Sequence, residues 1–258
     1  MTAVRVQAAT VRLGDKEIVS EVDFVARPGE ITALIGPNGA GKSTLLAAIA
    51  GDVTLAHGSV HMGKMDISAA SANALSRTRA VMLHDTQVAF SFLVRDVAEM
   101  GRRPWSRHQE AEDDDQIVDA ALQATDIIHL AAREAMTLSG GERARMALSR
   151  VLAQRTSVIL LDEPTAAMDI RHQEQSLGLA RTLAKEGATV ILVVHDLNAT
   201  AAYADHIVCL SAGRVVADGT VSEVYTAETL SSIYDWPIEI VTLGDGQVCV
   251  LPRGRTAN

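Results

Sequence analysis

The sequence predicts an α/β fold with a mostly parallel sheet, an antiparallel β subdomain at the N-terminus and an inserted helical subdomain. Three observations carry this. Apolar runs of strand length alternate with helical patterns through most of the chain, as in a parallel sheet with both faces covered. One such run leads into a glycine-rich loop and then a helical pattern. The stretch from about 88 to 137 is helical throughout and interrupts the alternation. With 258 residues the chain can hold one large α/β domain with an insertion and bury a full core.

The β-type runs at 4–9, 18–26 and 31–35 are parted by turn signals at Gly14-Asp15 and Pro28-Gly29. A helical pattern at 45–50 follows the glycine-rich loop, with strands next at 58–62 and 80–83. In the insertion, 94–101 and 116–125 read as helices. The acidic run from Glu110 to Asp115 before the second of them fits a solvated helix start, where the helix dipole favours carboxylates. Strands at 157–161, 189–194 and 206–210 follow, with helical segments between them. A helical stretch at 221–233, Pro237, and strand-like runs at 238–243 and 247–251 form a C-terminal appendage. The expected organisation is a single domain over 1–258, with a core of 1–87 and 138–219, the helical insertion at 88–137 and the appendage at 220–258.

Composition narrows the function. Lys+Arg total 23 against 32 Asp+Glu, a formal charge of −9, which argues against free nucleic acid as a partner. Apolar residues at 48% and charged residues at 21% are ordinary globular usage. The longest apolar runs are a few residues, whereas a spanning helix needs about 20. The N-terminus lacks the charged, apolar and small-residue regions of a signal peptide, so the chain is expected to stay in the cytoplasm. Cys209 and Cys249 stand alone without a CxxC, which fits a reduced compartment and offers no zinc framework. His57 and His61 have no Cys or carboxylate cluster beside them.

Gly36-Pro37-Asn38-Gly39-Ala40-Gly41-Lys42-Ser43 fits G-x-x-x-x-G-K-[ST] between a strand and a helix. Glycines let successive N–H groups converge on an anion, and the helix adds its positive end. A nucleoside triphosphate is expected there, with Lys42 on the β- and γ-phosphates and the Ser43 hydroxyl on Mg²⁺. The apolar run 158–161 delivers Asp162 and Glu163 at its C-terminal end, where parallel sheets bind ligands. Asp162 is placed to hold Mg²⁺ through water, and Glu163 to polarise the water attacking the γ-phosphate. His195, after the run 190–194, is placed to contact the same phosphate. Leu138-Ser139-Gly140-Gly141-Glu142 makes a second anion-binding helix start, more than one nucleotide requires. A head-to-tail homodimer accounts for both, each ATP being clasped by 36–44 of one subunit and 138–142 of the other.

These motifs resemble the ATPase subunits of ABC transporters, over nearly the whole chain. Gly36 to Thr44 is similar to that family's Walker A in a P-loop NTPase core, and the Leu138 to Glu142 segment to its signature loop, with Glu142 in place of the usual Gln. The segment Val158 to Pro164 is similar to its Walker B, Ala166 to Asp169 to its D-loop, and His195 to its switch histidine. The finer resemblance is to importers of heme, ferric siderophores and cobalamin. The segments from Ala89 to Val94 and from Glu99 to Pro104 point to the heme branch. The resemblance implies an ATP-hydrolysing homodimer at the cytoplasmic face of the inner membrane, carried by two permease subunits and served indirectly by a heme-binding protein. A soluble ABC ATPase outside transport is the reading of another class; such proteins usually join two ATPase domains or insert a long coiled coil.

Two departures accompany the resemblance. The family's adenine-stacking aromatic, about 29 positions before the Walker lysine, is Leu13. His84 falls where a glutamine normally reaches Mg²⁺ and the attacking water, and Gln87 is the nearby glutamine that could serve instead. The stretch from Ala89 to Trp105, with Phe90, Phe92 and Trp105, is the expected permease contact.

Overall fold

Strands β1 (Val4–Leu13) and β2 (Lys16–Ala26) form an antiparallel hairpin that opens the computed structural model, which describes residues 1–83, 91–106, 113–244 and 246–254. Strand β4 (His57–Met62) pairs with β1, and the short β5 (Met65–Asp66) with β4, so the N-terminal sheet is wholly antiparallel. The second sheet is built around β3 (Ile31–Ile35), with β8 (Thr189–Val193) and β9 (His206–Ser211) on its two sides. β7 (Val158–Asp162) and β6 (Arg79–Met82) extend it in parallel, and β10 (Arg214–Thr220) closes the far edge antiparallel. The order is β10-β9-β3-β8-β7-β6. β3, β7 and β8 are buried along their whole length, so their sequences are almost unbroken aliphatic runs rather than alternating ones.

Helix α1 (Lys42–Ala50) lies between the two sheets. Its Leu45, Leu46 and Ile49 share one core with Val6, Val22 and Val60 of the antiparallel sheet and with Leu34, Leu160 and Val208 of the parallel one. Each such side chain, fully buried, contributes about 1.5–3 kcal/mol. The helix stops at Gly51, which takes φ 81° and returns its N–H to the last turn. On the opposite face of the parallel sheet, α5 (Gly140–Gln154) and α6 (Ile170–Lys185) lay Leu148, Val151, Leu177 and Ala180 over Ile31, Ile159 and Leu192.

Between β5 and β6 the chain forms α2 (Ala72–Thr78), which the sequence reading left out together with β5 and β10. The helical insertion contains α3 (Val94–Glu99), a 3-10 stretch Met100–Trp105 and α4 (Asp114–Ala124). The expected helix at 94–101 tightens into 3-10 geometry after Glu99, ahead of Pro104, which cannot donate a ladder hydrogen bond. Ile117, Val118, Ala121 and Leu122 form a helical stripe that packs with Val94, Ile127 and, from α5, Met146. Arg95 joins α3 to Asp119 of α4. Arg102, 4% exposed, donates to Asp114 at 2.6 Å and to the Ala153 carbonyl at 2.9 Å. Trp105 is flanked by the Arg77 and Arg102 guanidinium groups and donates to the Gln154 carbonyl, while Phe92 packs on the insertion core. Both aromatics thus make contacts within their own chain.

The expected helix at 221–233 is two helices, α8 (Val221–Val224) and α9 (Ala227–Tyr234), because Thr226 caps a new start by accepting the Thr229 N–H at 3.1 Å. The appendage ends in a hairpin of β11 (Ile238–Thr242) and β12 (Val248–Pro252). Val224, Tyr225, Leu230, Ile238 and Val250 cover the side of β3 and β9 that carries Ile35 and Cys209. Cys209 is fully buried and its thiol is pushed up to about 12 by burial; Cys249 on β12 is partly exposed. No described helix is long and apolar enough to cross a membrane.

Candidate active site

The phosphate loop runs from the end of β3 into α1 with Gly36, Gly39 and Gly41 at φ 140°, 78° and 96°. Gly36 is obligatory on two grounds: a Cβ there would lie 2.0 Å from the Leu210 carbonyl oxygen, and its φ is closed to L side chains. Lys42 reaches back over the loop and donates to the carbonyls of Gly36 at 2.8 Å and Pro37 at 3.0 Å. It is 6% exposed. Burial holds its ammonium below the usual lysine range, with the charges of Glu163 and Asp162 opposing. The Gly36 N–H donates to the Tyr234 hydroxyl of α9 at 3.1 Å.

The Ser43 hydroxyl donates to Asp162 Oδ1 at 3.1 Å, joining the first turn of α1 to the end of β7. The Ser43 hydroxyl and the Asp162 carboxylate are oxygen ligands of the kind that suits a hard cation such as Mg²⁺. Asp162 is 5% exposed and stands beside Val193 in the β7–β8 register. The Glu163 N–H then donates to the Val193 carbonyl at 3.0 Å, which turns its side chain toward the end of β8. Glu163 has φ 50°, a left-handed backbone that costs an ordinary residue about 1–2 kcal/mol. Its Oε1 lies 2.5 Å from His195 Nε2. Asp196 accepts from the N–H groups of Asn198 and Ala199 and so starts α7 (Leu197–Tyr203), fixing the corner from which His195 projects. Glu163, Thr165, His195, Asp196 and Gln247 border a cavity of about 390 Å³.

The second predicted anion site stands on its own. Ser139 caps α5 by accepting the Glu142 N–H at 3.3 Å, and the Glu142 carboxylate accepts the Ser139 N–H at 2.7 Å. The Ser139 backbone N–H first, and the Ser139 side chain second, hold the Glu142 carboxyl below the usual carboxylate range. A cavity of about 380 Å³ opens here, lined by Ser139 to Glu142, Arg145, Ala167, Asp169 and His172 and by no residue of 36–44. A Cβ on Gly141 would meet the Ala167 carbonyl oxygen at 3.0 Å, so this glycine lets the loop close on the turn after Glu163.

Leu13, the expected adenine contact, is 51% exposed at the end of β1. His84 and Gln87 lie outside the described residues, as do Ala89 and Phe90. The sequence reading did not single out Tyr234: it is 198 positions from Gly36, and its neighbours carry no local motif.

The family model described as ABC transporter matches residues 19–166. The chain is 49% identical over 226 residues to the hemin import ATP-binding protein HmuV of Nocardia farcinica, covering 88% of this chain and 78% of that protein. It is 40% identical to the cobalamin import ATP-binding protein BtuD of Halobacterium salinarum, covering 94% of this chain and 61% of that one. A solved inward-facing structure of a metal-chelate type ABC transporter superposes with a TM-score of 0.83 at 25% identity, covering 99% of both chains.

Proposed function

Because the chain belongs to the ABC transporter family as one of its ATP-hydrolysing subunits, we propose that it drives a hemin importer from the cytoplasmic face of the membrane. The proposed assembly is two copies of this subunit on two permease subunits, with a heme-binding protein delivering the cargo. The observation that carries the chemistry is the meeting of Lys42, Ser43, Asp162, Glu163 and His195 at the ends of the adjacent strands β3, β7 and β8. The 49% identity to a hemin import protein supports the cargo. Ferric siderophore or cobalamin is the alternative cargo, the latter favoured by the 40% identical cobalamin relative.

In this reading the N–H groups of 38–44 receive the phosphates, and Lys42 leaves the Gly36 and Pro37 carbonyls to neutralise them. Ser43 and Asp162 are the proposed holders of Mg²⁺, which when bound offsets phosphate charge. Glu163 takes the proton of the attacking water, and His195 orients the carboxylate while facing the departing phosphate. His84 or Gln87 is the proposed further contact from the start of the insertion, and Leu13 the apolar contact for adenine. Ser139, Gly140, Gly141 and Glu142 clasp the ATP of the other copy, which the separate cavity of the signature loop supports. The test is copurification with a permease and uptake assays after deletion of the gene. Loss of hemin uptake with cobalamin and ferric-siderophore uptake intact is expected; the reverse pattern would reassign the cargo.

A further inference from the structure

The C-terminal appendage reaches the nucleotide site at a residue that none of the chain's motifs contains. Tyr234 closes α9, and its hydroxyl accepts the N–H of Gly36, the first residue of the phosphate loop. The carbonyl of the same glycine accepts from Lys42 Nζ. One residue is therefore held on both sides, by the appendage through its N–H and by the nucleotide-binding lysine through its C=O. Gly36 is also pressed against the Leu210 carbonyl, with no space for a Cβ, so its peptide cannot swing toward β9.

Tyr234 is itself held firmly. Tyr225, Leu230 and Ile238 around it belong to the core shared with β3 and β9. The Ile238 N–H donates to Ser231 Oγ at 2.9 Å, which folds β11 back on α9. Asn198 of α7 accepts the Val250 N–H at 2.7 Å, and the Tyr225 hydroxyl donates to the Leu197 carbonyl at 3.1 Å. Burial raises the Tyr234 phenol above the ordinary tyrosine range, so it stays neutral as a hydroxyl.

We propose that Tyr234 is a positioning residue for the phosphate loop, through which the appendage sets the affinity of the site for ATP. The hydroxyl leaves the chemistry alone. It fixes the Gly36 peptide, and with it the carbonyl from which Lys42 must depart, so the loop is preorganised before nucleotide arrives. Without the hydroxyl a buried N–H loses its partner, and binding must order the loop as well as fill it.

This inference rests on the ATP site proposed above. Its test uses the full-length protein, with ATP affinity measured by calorimetry and steady-state ATPase kinetics beside it. Tyr234→Phe keeps the ring in its core and removes the bond to Gly36; it is expected to weaken ATP binding and raise KM about five-fold, while kcat stays within about two-fold. Tyr225→Phe, which also removes a hydroxyl that the appendage bonds to α7 but does not touch the loop, is expected to leave affinity unchanged. Equal affinity in Tyr234→Phe and the unaltered protein would overturn the proposal. So would an equal loss in both variants, which would reduce Tyr234 to a structural part of the appendage. Lys42→Ala separates the two levels: retained ATP binding there would refute the site itself, whereas its loss beside an unaffected Tyr234→Phe would refute only the role of the tyrosine.

Discussion

The phosphate loop and the signature loop are both glycine-rich entries into a helix, yet the protein treats them differently. The first is tied from several directions: Gly36 to Tyr234, Lys42 to the loop carbonyls, Ser43 to Asp162, with α1 enclosed between two sheets. The second is satisfied within its own capping box, Ser139 being exposed and Glu142 bonding only back to it among the contacts described. No residue of the phosphate loop of the same chain lines its cavity. In the proposed dimer the first loop is the finished half of a site, and the second the half offered to the other copy. The two are alike in sequence grammar and opposite in the company they keep.

Changes on the finished side are expected to stop chemistry most completely. Glu163→Gln keeps size and a hydrogen-bonding oxygen beside His195 but removes the base. Its hydrolysis rate is expected to fall by roughly 10²–10⁴ while ATP binding persists, measured by phosphate release and nucleotide retention. Near-normal turnover would show that the carboxylate on the core side is not the base.

The presented side is broken by complementation. Lys42→Ala and Ser139→Ala are each expected to be inactive alone. Mixed, half of the pairs would carry one intact composite site, so about a quarter of the activity is expected back. No recovery in a mixture shown to exchange subunits would mean that both loops serve the same copy's nucleotide.

A smaller effect sharpens the contrast in folding energy. Gly36→Ala forces a Cβ onto the Leu210 carbonyl and is expected to cost about 3 kcal/mol in denaturant unfolding. Gly140→Ala meets the Ala167 side chain at 3.1 Å, an exposed neighbour that can yield, and is expected to change stability by less than about 1 kcal/mol. Equal costs would remove the distinction between a loop locked by the core and a loop merely capped.

What could be read in advance follows from where the information lies. β3, β7 and β8 announce themselves because burial on both faces demands continuous aliphatic runs, as at Val158–Asp162. The phosphate loop is legible because its glycines and Lys42 act within a few positions of one another. β10 is hard to read because its RVVADGT sequence lies at a sheet edge and is mostly exposed or partly so, leaving a weak pattern. The break between α8 and α9 depends on one capping hydroxyl, that of Thr226, inside a stretch whose apolar spacing still looks continuous. The bond between His195 and Glu163 needed the β7–β8 register, and that between Tyr234 and Gly36 needed the whole tertiary fold. Contacts 32 and 198 positions apart leave no periodicity to find.

The burial of Cys209 has a practical side. A thiol held near 12 beneath the phosphate loop offers almost no thiolate at neutral pH and no path for a reagent. The chain's other cysteine, Cys249, sits partly exposed on the terminal hairpin, one position before the Val250 that bonds Asn198. A maleimide fluorophore would therefore label the unaltered protein at one place, on the appendage that Tyr234 ties to the phosphate loop.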